Sequence, residues 1–105
     1  QQTRDFVQAF SARDALGLMQ TLTSMEKWKR DALADILESW RELLESALAS
    51  RSGIRAVSPL SRKLAQSRSS PELLNAVQCL QKAVDYTVSN VSPAAVCGWL
   101  VWALR

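Results

Sequence analysis

Among its 105 residues the sequence has no histidine, only three glycines, three prolines and two cysteines. Without histidine, the commonest general base, the commonest zinc ligand and the Ser-His-Asp triad are all incomplete. Gly17, Gly53 and Gly98 lie too far apart to form a phosphate-binding loop. Asp31 and Asp35 fall on a polar helix face where nothing would desolvate them. We therefore expect a protein with no enzymatic activity, cofactor, metal or small-molecule substrate.

The shortage of glycine and proline also bears on the fold class. A sandwich or barrel needs regularly spaced turns and alternating apolar runs, and neither is present. With 48% hydrophobic residues, the chain has enough material for one compact domain. We predict that residues 1–105 form a single all-α domain, a bundle of about five helices built along one long helix.

Long apolar runs are absent as well. The most apolar segment, residues 94–104, has 11 residues and would cover about half of a bilayer core, so we expect a buried helix and no membrane contact. No secretory leader opens the sequence. Cys79 and Cys97 lie among apolar neighbours, and we interpret them as free thiols in a cytoplasmic protein, although spacing alone leaves a disulfide open.

The segment from Ser24 to Gly53 organises the chain because its apolar residues recur at steps of three and four. Ser24 is a suitable N-cap, and Gly53 suits a left-handed stop. The pattern predicts one helix of roughly 26 residues, about 40 Å long. We interpret its charged side as a solvated face; the alternative is an acidic docking strip. That strip would consist of Asp31, Asp35, Glu38, Glu42 and Glu45.

Shorter helices are predicted around this one from capping residues and apolar spacing. Ser11 is the expected N-cap of a helix whose apolar face comprises Ala15, Leu16, Leu18, Met19 and Leu22, with Asp14 reaching back to the cap. The other expected helices run over residues 5–10, 59–65, 70–88 and 93–104. Asn90 is the expected left-handed stop before the last of them.

Four tryptophans are the most informative side chains. Trp28 and Trp40 match the apolar stripe of the long helix, which indicates core packing. Trp99 and Trp102 lie three residues apart on a helix that is apolar on most faces. For these two, core packing and a partner contact are both open, since tryptophan is enriched at interface hot spots.

Residues 51–68 carry five cations and no acid. A solvated loop is the simpler interpretation, because aromatic stacking platforms and known recognition motifs are absent. The alternative is a small helical nucleic-acid-binding module that makes salt-sensitive phosphate contacts. The residues that would make such contacts are Arg51, Arg55, Arg62 and Lys63.

Two motifs resemble those of a known family. Trp40, Arg41 and Glu42, within the run 37–44, are similar to the aromatic, arginine, acid, leucine stretch of the C-terminal domain of the bacterial DNA polymerase III delta prime subunit. The segment from Asn90 to Pro93 resembles the Asn-Val-Asn-Pro signature that opens the final helix of that domain. The likeness covers residues 15–104. Glu42, Ser92 and Gly98 depart from the family's usual aspartate, asparagine and glutamate.

The resemblance implies a collar module of a clamp-loader subunit, which takes part in DNA replication without catalysing a reaction. Such a module associates with the collars of other clamp-loader subunits, and Trp99 and Trp102 are the expected partner contacts. Trp40, Arg41, Glu42, Asn90 and Pro93 would then be structural residues. In that family ATPase-type domains precede the collar, so we expect the sequence to be a piece of a longer chain.

Overall fold

The computed structural model describes residues 1–55 and 58–104, and these residues form six α-helices and no strand. The helices are α1 (Gln2–Ser11), α2 (Ala15–Thr23), α3 (Arg30–Arg51), α4 (Pro59–Ser67), α5 (Ser70–Val88) and α6 (Pro93–Ala103). The all-α class is confirmed, but the expected number of about five helices is one too low. The short segment predicted over residues 5–10 is a full helix of 10 residues, because Phe6, Val7 and Phe10 bury one of its sides.

The long helix begins later than predicted. Ser24 is not its N-cap; α3 starts at Arg30 after the extended residue Lys29 and has 22 residues, which gives a length of about 33 Å. Between α2 and α3 the backbone makes tight turns, in which the N–H groups of Met25 and Trp28 bond to carbonyls three residues earlier, both at 3.0 Å. These turns place Met25 fully inside the core. The burial of Met25 therefore outweighs the apolar periodicity of the sequence, which predicted one continuous helix from Ser24.

The start of α2 also differs from the prediction. Ser11 is the last residue of α1, and Asp14 caps α2 by accepting the Gly17 N–H at 2.9 Å. Arg13 lies between them with a left-handed φ of 57°. Three residues therefore separate α1 from α2. Asp14, the last of them, takes the N-cap position of α2.

The remaining helix ends agree closely with the sequence signals. Ser58 and Ser92 cap α4 and α6, each followed by a proline in the first turn. The N-cap of α5 is Ser69, one residue before the predicted start, and it forms a capping box with Glu72. Asn90 and Gly53 adopt φ values of 70° and 99°, as expected for left-handed stops.

The helices surround one continuous cluster of buried apolar side chains. α3 packs most extensively against α5 and next against α4, while α2 packs against α1 and α6. Trp40 is completely buried and Trp28 is half-buried against the same cluster, so both pack on the core as predicted, although Trp28 lies in the turns before α3 and not on the long helix. This arrangement leaves α6 at one side of the bundle, covered by α2 and α5 only along its inner face.

Candidate protein-interaction surface

The helix α6 contains no charged side chain along its whole length. Val96, Cys97 and Leu100 point into the core, as does Leu104 just beyond the helix. On the opposite side Ala94, Ala95, Gly98 and Trp102 are exposed. Trp102 has 67% of its surface in contact with solvent. An outward helix face without polar groups is unusual, since surface helices normally place charges there.

The two tryptophans predicted as partner contacts are placed differently. Trp99 is half-buried and meets Tyr86 of α5 edge to face, with ring centroids 5.3 Å apart and an interplanar angle of 83°. Trp102, three residues later, has no such cover. Trp99 therefore anchors α6 to α5, and Trp102 is the residue that a partner would reach.

The neighbouring helix α2 also lacks charged residues. Its predicted apolar face is not all buried: Leu18 and Leu22 point inward, but Leu16 and Met19 are 59% and 42% exposed and Ala15 is exposed. The predicted face of five residues is wider than the stripe that meets other helices, so only Leu18 and Leu22 are buried. The structure thus adds Leu16 and Met19 to the exposed apolar side chains.

The ends of α2 and α6 show how the two helices lie together. Ala15 and Leu18, at the start of α2, line a cleft of about 200 Å³ with Leu104, which follows the end of α6. At the other end, the charge of Glu26, shortly after α2, acts on Cys97 in the first half of α6. The two helices are therefore antiparallel neighbours.

Both cysteines are free thiols. Burial, and secondarily the negative charge of Glu26, raises the pKa of Cys97 to about 11. Burial likewise raises the pKa of Cys79, against a smaller opposing effect of Lys82. Within residues 1–55 and 58–104, no group of three or more acidic or cysteine side chains is placed to hold a metal ion. No helix in the same residues has the length and apolar character needed to cross a bilayer.

Some cations of the basic segment are bonded to neighbouring groups of the protein. Arg51 donates to the Ala65 carbonyl at 2.8 Å and to the Ser70 hydroxyl at 3.2 Å. Lys63 donates to Gln8 of α1. All four predicted contact residues are exposed, and phosphate contact stays a prediction for Arg51, Arg55, Arg62 and Lys63. Ala56 and Val57 of this segment lie outside the described residues.

Arg68 completes the segment and belongs to a network that sequence reasoning missed. Its guanidinium lies over the Phe10 ring at 4.1 Å and donates to the Phe10 carbonyl at 3.0 Å and to Glu72 at 2.9 Å. Arg13 donates to both carboxylate oxygens of Glu72, at 2.6 and 2.9 Å. These bonds, above all those from Arg13 and then from the Ser69 N–H, hold the pKa of Glu72 far below its ordinary value.

Several of the residues that carry the family likeness make contacts within the protein. Arg41 bonds to Glu45 at 2.9 Å and lies 3.6 Å from Glu38, so two acids of the predicted docking strip are paired within α3. Asp31, Asp35 and Glu42 are exposed on that helix. The carbonyl of Asn90 accepts a bond from Arg30 at 2.9 Å, and Pro93 is in the first turn of α6. The joint between α5 and α6 is thereby fixed to the start of α3.

Comparison with known proteins gave no match to any family model, curated protein or solved structure. The functional interpretation therefore depends on the geometry above together with the family resemblance of the two motifs. The structure shows that Trp102 is exposed on α6, which has no charged residue, and that α6 packs against α2, which also has none.

Proposed function

We propose that this protein is a non-catalytic oligomerisation module of a clamp-loader subunit in bacterial DNA replication. In this proposal the outer face of α6 packs against the collar module of another clamp-loader subunit. The observation that carries the proposal is the 67% exposure of Trp102 on a helix with no charged residue. The remaining three tryptophans are buried or half-buried.

Burial of this face in a complex would be favourable. A tryptophan side chain can bury about 150 to 250 Å² of surface, and tryptophan is among the residues that dominate binding energies. No charged group of α6 would have to be desolvated, so the cost that usually offsets apolar contact is small. Exposed apolar patches on otherwise polar proteins commonly mark interaction sites.

The sequence motifs support the choice of partner. Trp40, Arg41 and Glu42 on the long helix and the Asn90 to Pro93 segment occur in the order and relative positions expected of a delta prime collar. Trp40, Arg41 and Asn90 make intramolecular contacts, which agrees with a structural role for them, whereas Glu42 is exposed. A module of this kind would hold subunits together and would leave the chemistry to other domains.

The proposal is tested by co-elution of the protein with the other clamp-loader subunits at moderate salt. The unmodified protein should co-elute, and Trp102→Ala should weaken the complex by at least about tenfold, as expected for an interface hot spot. Ile54→Ala is the matched control, because Ile54 is an exposed apolar residue in the loop after α3. Failure of the unmodified protein to co-elute would refute the proposal.

A further inference from the structure

The exposed cations around α4 form one surface. Lys63 of α4 donates to Gln8 of α1, and Arg4 lies one turn before Gln8 on the same side of that helix. On another side of α4, Arg51 at the end of α3 donates to the Ala65 carbonyl. We call the exposed residues Arg4, Arg51, Arg55, Arg62 and Lys63 the basic surface.

The charges of the basic surface are not cancelled by acids. No acid occurs between residues 46 and 71, and the acids that flank this stretch, Glu45 and Glu72, are bonded to arginines outside the surface. Asp5 of α1 lines a cleft that is shared with α2. Among the described residues, no member of the basic surface takes part in a salt bridge.

Two cations of the surface are held in position by neutral groups. Arg51 donates to the Ala65 carbonyl and the Ser70 hydroxyl, and Lys63 donates to the side-chain amide of Gln8. A neutral acceptor leaves the positive charge of the donor intact. A side chain that is already ordered also loses less conformational entropy when it binds a ligand. The surface is therefore preorganised to bind an anion.

We propose that the basic surface binds the phosphate backbone of duplex nucleic acid without reading its sequence. Lysine and arginine bind phosphates with release of counterions, and such contacts carry no sequence information. The nine residues of α4 give it a length of about 14 Å, which corresponds to about four phosphates of one strand. This inference goes beyond the proposed function and is independent of it, because it uses neither α6 nor the motifs of the family resemblance.

The side chains around α4 favour a duplex over other polyanions. No phenylalanine, tryptophan or tyrosine occurs between residues 41 and 85, so the surface has no platform on which unpaired bases could stack. The exposed residues of α4 are Pro59, Arg62, Lys63 and Gln66. None of them is a large apolar side chain of the kind with which surface helices enter a lipid bilayer.

Fluorescence anisotropy of a short labelled DNA duplex tests this inference with the protein alone. With about four phosphate contacts, raising the salt concentration threefold should weaken binding by about 50-fold. Duplexes of two unrelated sequences should bind equally well, and a single strand of the same length should bind more weakly. Vesicles that contain phosphatidylserine should not bind the protein.

Paired variants assign the binding to the basic surface. Arg62→Ala combined with Lys63→Ala should weaken duplex binding by at least about tenfold and reduce the salt dependence by about two phosphate contacts. The matched control is Lys27→Ala combined with Lys29→Ala, which removes two exposed cations from the turns before α3, at the opposite end of that helix from Arg51. The control should change affinity by less than about threefold, and Arg62→Lys should retain binding because it keeps the charge.

Three results would overturn the inference: no binding to the duplex at low salt, equal losses in the two double variants, or tighter binding to the single strand or the vesicles than to the duplex. Equal losses would mean that net charge alone attracts the DNA. Thermal unfolding of each variant shows that it remains folded. None of these results affects co-elution with clamp-loader subunits, so the proposed function is tested separately.

Discussion

Phe6 of α1 and Trp40 of α3 lie face to face, with ring centroids 4.2 Å apart and planes within 4° of parallel. Both side chains are completely buried. The indole N–H of Trp40 donates to the Thr3 hydroxyl at 3.0 Å, so its one polar group is satisfied within the core. This contact attaches the first helix to the long helix.

Replacing Phe6 with alanine should therefore lower the free energy of unfolding by about 3 to 5 kcal/mol, through lost burial and the cavity left beside Trp40. Urea unfolding followed by circular dichroism measures the change. Trp102→Ala is the control, because an exposed side chain contributes little to folding and should shift stability by less than about 0.5 kcal/mol. Equal losses in the two variants would contradict the placement of these residues.

Two glycines should respond in opposite ways to alanine. Gly98→Ala places a methyl group in open space within α6 and should stabilise the isolated protein by about 0.5 to 1 kcal/mol. Gly53→Ala forces a side chain into a φ of 99° and should destabilise it by about 1 to 2 kcal/mol. Thermal melts of both variants check the signs.

The network around Glu72 predicts a dependence of stability on acid. The pKa of Glu72 is lower in the folded state than its ordinary value of 4.5. The ionised carboxylate therefore stabilises the folded state above pH 4.5, and this stabilisation is lost as the pH falls below that value. Glu72→Gln cannot form the ionic bonds to Arg13 and Arg68. We expect the unmodified protein to exceed this variant in stability at pH 6 and the difference to shrink toward pH 3, as measured by urea unfolding. A difference that is constant with pH would contradict the ionic role.

Cys97 should be protected from thiol reagents in the folded protein. Its pKa is raised to about 11, and it is completely buried, whereas Cys79 is half-buried. Alkylation at pH 8 followed by mass spectrometry should modify Cys79 first and Cys97 only on unfolding. Because the folded pKa is raised, the protonated thiol adds stability below about pH 9, which declines as the pH rises toward 11. Cys97→Ala should reduce that decline.

The helix ends that depend on local chemistry were predictable. Gly53 and Asn90 act at their own positions, and each ends a helix as expected. Which of Trp99 and Trp102 would be the exposed one was not predictable, because an entirely apolar helix gives no sign of which side faces inward. Likewise, Arg13 and Glu72 are 59 residues apart, and no periodicity links such a pair.

The sequence by itself determined that the chain is helical and where the stops at Gly53 and Asn90 lie, because a left-handed stop depends on the residue at that position. Only the tertiary structure decided that Met25 leaves the helical pattern to enter the core, and that Leu16, Met19 and Trp102 face solvent. Burial depends on the neighbours that a face meets, and those neighbours are set by how all the helices pack together.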